Sequence, residues 1–225
     1  MYPELYNFVA QNRDLFRFFY SILIAVICFI VFLKTDRLFR ISSHQGIRYF
    51  RNAFFFYGIA FVLRYLLAKP IYFELMRLVF EFFMIMGGFF LFYSLLWKKF
   101  EGYKEISSLF NLKIAIFCIL TGIIVVLDYL WEGYTFMFIS QIILFGFASI
   151  ISYKNYKSGG KQHKFLKLYF CVMILNFIAW TLNFIFSSFF GSRLRWLANV
   201  YVLNVIVFLI FLYGVIKVTK KDNKS

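Results

Sequence analysis

The residues in this chain that could do chemistry are charged side chains set inside long apolar segments. Arg64, Arg77, Glu81 and Asp128 each interrupt such a segment. An ionisable side chain within hydrocarbon costs roughly 2.5 to 3.5 kcal/mol on insertion scales, so each needs a partner or a polar cavity. Arg77 and Glu81 are four residues apart, which places them on one helix face where they can form an ion pair. We therefore expect a functional site around these side chains.

Neutral polar side chains and a tryptophan accompany the charged ones. Asn176 and Asn183 lie seven residues apart and share a helix face, while Gln141 and Asn199 supply amides on two further segments. We expect these groups to line an outward-facing polar pocket that binds a small solute or a lipid. The predicted ligand-binding residues are Arg64, Arg77, Glu81, Asp128, Gln141, Asn176, Trp180, Asn183 and Asn199.

Within that pocket, Arg64 and Glu81 are the expected charged anchors and Trp180 is an expected apolar wall. Two other interpretations of the same residues stay open. The arginines and Glu81 can instead form a buried ion-pair network that fixes neighbouring helices, with the asparagines as interhelical hydrogen-bonding groups. The same side chains can also line an ion or proton path.

Catalytic chemistry has little support in the sequence. It contains no Gly-rich phosphate-binding loop, no H-E-x-x-H zinc motif and no Gly-x-Ser-x-Gly nucleophile elbow. Cys28, Cys118 and Cys171 lie far apart and lack the Cys/His spacing of a metal site. We expect a protein that is not an enzyme and has no catalytic residue, cofactor or metal.

The segments that carry these residues are long enough to cross a membrane. Of 225 residues, 63% are hydrophobic and 16% are charged, against about 25% charged in typical soluble domains. About twenty apolar residues in a helix span the ~30 Å hydrocarbon layer. The sequence predicts an all-α integral membrane protein, one domain over 1–225, with seven transmembrane helices at 16–34, 46–68, 72–97, 112–131, 134–153, 165–188 and 194–217.

The distribution of positive charge predicts the orientation of these helices. The net charge is +15, and 18 of the 25 Lys and Arg residues fall in the first, third and fifth connections and in the C-terminal tail. Basic residues collect on the cytoplasmic side, so we expect the N-terminus outside and the C-terminus inside. The basic loops are expected to contact anionic lipid headgroups, and nucleic acid is not an expected partner. The composition is compatible with a prokaryotic plasma membrane.

A weak internal repeat relates the two ends of the chain. A shift of 119 residues superposes 16–97 on 135–217 and leaves 112–131 as a linker helix. The best match aligns IAFVLRY at 59–65 with IAWTLNF at 178–184. The repeat predicts a 3+1+3 arrangement, in which two parallel three-helix halves are joined by the linker.

Seven helices in this layout resemble the transporter-opsin-receptor type of membrane fold, which includes SWEET sugar carriers, PQ-loop proteins, the KDEL receptor and microbial rhodopsins. The Pro-Gln pair of PQ-loop proteins is absent, and 196–216 contains no lysine for retinal. Phe50-Arg51-Asn52 and Ala60-Phe61 also resemble the seven-helix sensor modules found before histidine kinases.

The resemblance implies that the bundle binds or moves a small ligand. We expect a receptor-like or sensor-like protein without its own output domain, which acts through a cytoplasmic or membrane protein partner. A small SWEET-like carrier or channel is the second interpretation, with two halves that rock about a central site. A structural or assembly subunit of a membrane complex is the third.

Overall fold

The computed structural model describes residues 12–42, 45–66, 73–100, 112–158, 164–189 and 194–222. Over these ranges the chain forms seven α-helices: α1 Arg13–Ser42, α2 Gln45–Leu66, α3 Phe73–Phe100, α4 Leu112–Leu130, α5 Thr135–Ser158, α6 Lys164–Phe189 and α7 Leu194–Asp222. The all-α prediction is confirmed, and each helix coincides with one predicted segment.

Three helices continue five residues or more past the apolar segments predicted for them. α1 ends at Ser42 rather than at 34, α5 at Ser158 rather than at 153, and α7 at Asp222 rather than at 217. The added turns carry exposed charged side chains such as Arg40 and Lys157. A helix needs an apolar surface only where water is excluded, so hydropathy underestimates the length of a helix that extends into water.

Six of these helices close into a ring, and α4 lies outside it. α1, α2 and α3 pack in chain order, as do α5, α6 and α7, while α3 contacts α5 and α7 contacts α1. α4 packs against α3 and α5 and exposes apolar side chains such as Ile119, Ile123 and Val126. Two consecutive triplets with an external α4 are compatible with a 3+1+3 layout, and the repeat itself stays a prediction.

Four helices within the described ranges are long and apolar enough to cross a membrane, with spans at Phe18–Arg40, Glu74–Leu96, Thr135–Ser158 and Leu166–Ser188. α4 and α7 carry the shorter apolar stretches Ile114–Leu130 and Val202–Lys217. Arg51, Asn52 and Arg64 interrupt the apolar run of α2. The length and composition of the helices therefore suit a membrane location.

Aromatic rings fill much of the interior of the ring, and α2 supplies many of them. Phe54 is fully buried and meets Phe208 and Phe211 of α7 edge-on, with ring centroids 6.1 and 5.0 Å apart. Phe56 stacks on Phe90 of α3 at 5.0 Å. Each such pair contributes about 0.5 to 1.5 kcal/mol beyond its buried area. The central part of α2 thus belongs to the core, while its arginines lie towards its two ends.

The two ends of the bundle differ in charge. We call the end where α4 meets α5 the corner end, and the opposite end, where α1 meets α2, the basic end. Consecutive helices run antiparallel, as the contact between Asp36 late in α1 and Arg51 early in α2 requires. Glu74 and Glu132 are exposed at the corner end. Exposed cations whose side chains the structure describes lie at the basic end: Lys34, Arg37, Arg40, Lys154, Lys157, Lys167 and Lys217.

Candidate functional site

The turn between α4 and α5 is closed by hydrogen bonds around Asp128. At the end of α4, the Gly133 N–H donates to the Asp128 carbonyl at 3.1 Å and the Glu132 N–H donates to the Tyr129 carbonyl at 3.2 Å. Glu132 has a φ of 52°, as the residue after a helix end has in a Schellman motif. The chain therefore reverses within four residues and starts α5 at Thr135.

The carboxylate of Asp128 caps the helix that follows. Its two oxygens accept hydrogen bonds from the backbone N–H groups of Phe136 and Met137, at 2.8 and 2.7 Å. These donors lie in the first turn of α5, where backbone N–H groups have no partner within the helix and negative charge is favoured. Asp128 is fully buried, so this cap fixes the angle between α4 and α5 without help from water.

Arg77 ties α3 to the same turn. Its guanidinium donates to the backbone carbonyls of Asp128 and Gly133, both at 2.9 Å, and to Glu81 Oε1 at 3.1 Å. It also lies over the Tyr134 ring, 5.1 Å from the centroid. The predicted Arg77–Glu81 ion pair is confirmed. The Arg77 guanidinium also donates to carbonyls of α4 and of the turn before α5. The ion pair therefore connects α3 to the α4–α5 corner rather than stabilising α3 alone.

Glu81 retains one unused carboxylate oxygen. Its side chain is fully buried, and Oε1 accepts from Arg77. Among the described residues, no group lies within hydrogen-bonding distance of Oε2. A buried polar atom without a partner costs on the order of 1 to 3 kcal/mol in proteins. This oxygen is therefore an acceptor for a hydrogen-bond donor that the described part of the chain does not provide.

Gln141 of α5 is another buried polar side chain without a partner in the described part of the chain. It is fully buried, and neither its carbonyl oxygen nor its amide nitrogen has a hydrogen-bond partner there. Its amide lies against Gly88 of α3, where an added Cβ would be 2.5 Å from Oε1 and 2.8 Å from Nε2. Gly88 therefore makes room for this amide between α3 and α5.

Glu81, Thr121 and Gln141 lie on α3, α4 and α5, three helices that pack on one another, and we call these three residues the buried polar row. Gln141 is one turn beyond Met137, whose N–H binds Asp128. Thr121 is two turns before Asp128 on α4, is fully buried, and its hydroxyl has no partner among the described residues. The row leads from the corner towards the middle of the bundle.

The other predicted ligand-binding residues make different contacts. Arg64 lies over the rings of Tyr20 and Phe80, 5.6 and 5.8 Å from their centroids. Trp180 packs on Phe138 at 6.0 Å. The Asn176 and Asn183 amides donate to carbonyls of their own helix, those of Val172 at 3.1 Å and Ala179 at 3.0 Å. The side chain of Asn199 lies outside the described residues.

The structure thus brings Arg77, Glu81 and Asp128 together and sets Gln141 close by. Thr121 was missing from the predicted site, whereas the Gly87-Gly88 pair predicts close helix packing, and the Gln141 amide does lie against Gly88. Thr121 is the only Ser or Thr within Ile114–Leu130, and that isolation was the available signal. The contact at Gly88 depends on how α3 and α5 are rotated, which the Gly87-Gly88 pair alone does not specify.

Comparison with known proteins adds no named activity. No protein-family profile matches this chain, and no solved structure matches it. The chain is similar to a protein of Archaeoglobus fulgidus described as an uncharacterized protein, with 26% identity over 217 residues. The aligned region covers 88% of this chain and 90% of the relative. The likeness therefore runs along nearly the whole of both proteins and carries no ligand or reaction with it.

Proposed function

We propose that this protein crosses a membrane seven times, with its N-terminus outside and its C-terminus in the cytoplasm. The unequal charge of the two ends supports this orientation. The exposed cations described above lie at the basic end, whereas at the corner end Arg64 and Arg77 turn towards rings and carbonyls. Positive residues exposed to water mark the cytoplasmic side of a membrane protein. The corner end would then face the exterior.

The function we propose is binding of a small solute or a lipid headgroup in the outer half of the bundle. The observation that carries it is that three fully buried side chains, Glu81, Thr121 and Gln141, have polar atoms without partners among the described residues. Within apolar surroundings such groups are costly, and they mark ligand or ion sites in membrane proteins. A ligand with N–H or O–H donors would bind Glu81 Oε2 and the Gln141 carbonyl, and Thr121 would add a hydroxyl.

The same geometry supports receptor-like behaviour. Glu81, Thr121 and Gln141 are all fully buried, so a ligand reaches them only when α5 moves away from α3. Such a movement has to disturb the hydrogen bonds that Arg77 makes with the turn between α4 and α5. Binding would therefore change how the helices pack, and a partner protein at the basic end would detect that change. A ligand shifts this equilibrium only by its difference in affinity for the two arrangements.

A thermal-shift screen of the purified protein in detergent tests the binding proposal. The compounds would be amino acids, sugars, carboxylates, amines and dispersed lipids. We expect a stabilising compound whose effect is lost in Glu81→Gln and in Gln141→Leu. Thr181→Val is the matched control, because the Thr181 hydroxyl bonds to its own helix at Phe177. Loss of the shift in the control as well, or its persistence in both site variants, would contradict the proposed site.

Transport is the second candidate, and the order of helix packing favours it. Two consecutive triplets, α1 to α3 and α5 to α7, meet through α3 with α5 and α7 with α1, with α4 outside. Carriers built from parallel repeats move one half against the other around a site between them. Flux of a stabilising compound into liposomes would support a carrier, and binding without flux would support a receptor. No stabilisation by any compound would favour a structural subunit.

A further inference from the structure

An apolar crevice lies between α6 and α7 at the basic end, away from the buried polar row. It is a shallow groove that is open along its mouth. Leu168 and Val172 form one wall, and Ile210 and Gly214 form the other. Because Gly214 has no side chain, it leaves the α7 wall recessed.

Three packed rings contributed by Phe50, Tyr169 and Phe211 form the floor of this crevice. Their centroids lie 5.9 to 6.1 Å apart. The Tyr169 hydroxyl shares a hydrogen bond with Ser94 at 3.2 Å, so the one polar atom of the floor is already engaged. The crevice therefore offers an apolar surface on a fixed base and selects an apolar occupant.

Two exposed lysines, Lys167 and Lys217, lie close in sequence to residues that line the crevice, and Lys217 Nζ donates to the Tyr213 hydroxyl of its own helix at 3.4 Å. Lys217 is three residues beyond Gly214 and seven beyond Ile210, which places it on the α7 face that lines the crevice. Lys167 precedes Leu168 on α6. The apolar span of α6 begins at Leu166, and the apolar stretch of α7 ends at Lys217. Both lysines therefore lie where an apolar segment gives way to polar sequence, at the level of lipid headgroups.

We propose that the crevice binds one acyl chain of an anionic phospholipid whose phosphate pairs with Lys167 and Lys217. This proposal uses the membrane location proposed above and is independent of the solute site. An unfilled apolar crevice loses dispersion contacts that a lipid chain restores. The acyl chain alone does not let the crevice select one lipid over another, because lipid tails are all similarly apolar. Selection comes from the lysines, which attract anionic headgroups.

Electron paramagnetic resonance of spin-labelled lipids tests this site. The protein would be reconstituted in phosphatidylcholine vesicles with traces of spin-labelled phosphatidylglycerol or phosphatidylcholine, in both leaflets, so that orientation does not affect the result. We expect phosphatidylglycerol to be preferred at the protein surface. Lys167→Gln and Lys217→Gln should each lower that preference about fivefold. The control is the pair Lys154→Gln and Lys157→Gln, exposed on α5 at the same end, which should leave the preference unchanged.

The apolar part of the proposal needs its own variant. Gly214→Leu fills the crevice and should reduce immobilised phosphatidylglycerol while both lysines remain. If that variant does not fold, the smaller Gly214→Ala provides the same comparison. An equal loss from the α5 control lysines, or full binding after the crevice is filled, would overturn the proposal. These variants lie far from Glu81 and Gln141. A negative result in the lipid experiment would therefore leave the thermal shift by a solute unchanged, and a negative thermal-shift screen would leave the lipid result unchanged.

Discussion

In the part of the chain that the structure describes, an arginine of the bundle forms an ion pair at each end, and the two arrangements are built differently. At the basic end, Arg51 of α2 binds Asp36 of α1, and Arg40 reaches the other oxygen of Asp36 at 2.9 Å. The Arg51 and Asp36 side chains are 20% and 22% exposed. At the corner end, Arg77 is 14% exposed and Glu81 is fully buried.

The partners of the two arginines differ even more than their exposure. Arg51 binds side chains, Asp36 and Asn52, and lies over the rings of Phe32 and Phe39. Arg77 binds two backbone carbonyls in a turn besides its carboxylate. Water can replace a partner at the basic end but not at the corner. The same residue types therefore contribute little stability between α1 and α2 at the basic end. At the corner end they hold α3 firmly against α4 and the turn before α5.

The largest effect is expected from Arg77→Leu. This change leaves Glu81 buried without a cation and removes the donor to the Asp128 and Gly133 carbonyls. Breaking one partner of a buried ion pair costs about 3 to 5 kcal/mol. Equilibrium unfolding in mixed micelles, monitored by circular dichroism, measures the free energy of unfolding of the variant and the parent protein.

A double variant separates the charge from the rest of this effect. In Arg77→Leu with Glu81→Leu the buried carboxylate of Glu81 is removed together with its cation, while Asp128 keeps its backbone N–H partners, so much of the lost stability should return. A double variant as unstable as the sum of the two single variants would show that the bonds from Arg77 to the turn, rather than the ion pair, carry the difference between the two ends.

The pairing of Arg77 with Glu81 could be predicted because it depends on local spacing alone, and four residues place two side chains on one helix face. The helix positions could be predicted for the same reason, since the length of an apolar run is a local property. The rotation of one helix against another is not local. Asn176 and Asn183 share a face as predicted, yet both amides bond to their own helix, which satisfies them without any neighbour.

A smaller effect is expected from Gly88→Ala, which tests how closely α3 and α5 pack where Gln141 lies against Gly88. The new Cβ would lie 2.5 Å from the Gln141 amide oxygen, and overpacking of this kind costs about 1 to 3 kcal/mol. Gly122→Ala is the matched control, because nothing lies within 4 Å of a Cβ there; that change should be neutral or stabilising by up to about 1 kcal/mol. Thermal unfolding of both variants gives the comparison. Equal effects at Gly88 and Gly122 would mean that α3 and α5 are not closely packed at this point.

At the basic end, Asp36→Asn should cost about 1 kcal/mol, less than Arg77→Leu, because Asp36 is partly exposed whereas Glu81 is fully buried. The loss should shrink as salt is added, since salt screens a partly exposed pair more than a buried one. Unfolding of the parent and the variant at low and high ionic strength measures this. A loss as large as that of Arg77→Leu, insensitive to salt, would remove the distinction between the two ends.

The capping of α5 by Asp128 could not be predicted, and the reason lies in the turn. The contact needs the chain to reverse between Tyr129 and Tyr134, with Glu132 at a positive φ. Glycine is the residue that normally indicates such a conformation, but here the glycine is at 133, one residue later. The sequence predicts the chain reversal between 131 and 134, but it contains no local signal that this turn brings the Asp128 carboxylate to the first turn of α5, so Asp128 was expected in a pocket.

The smallest effect is expected from Glu132→Gly, and it is a gain. A non-glycine residue at positive φ costs about 1 to 2 kcal/mol, whereas glycine loses up to about 1 kcal/mol through the entropy of the unfolded chain. The net gain should be about 0.5 to 1 kcal/mol, since the Glu132 side chain is exposed. Glu132→Ala removes the same charge but keeps the unfavourable φ, so it should give no gain. Equal stabilisation by both changes would assign the effect to charge and would mean that the turn fixed by Arg77 and Asp128 holds no strain in its backbone.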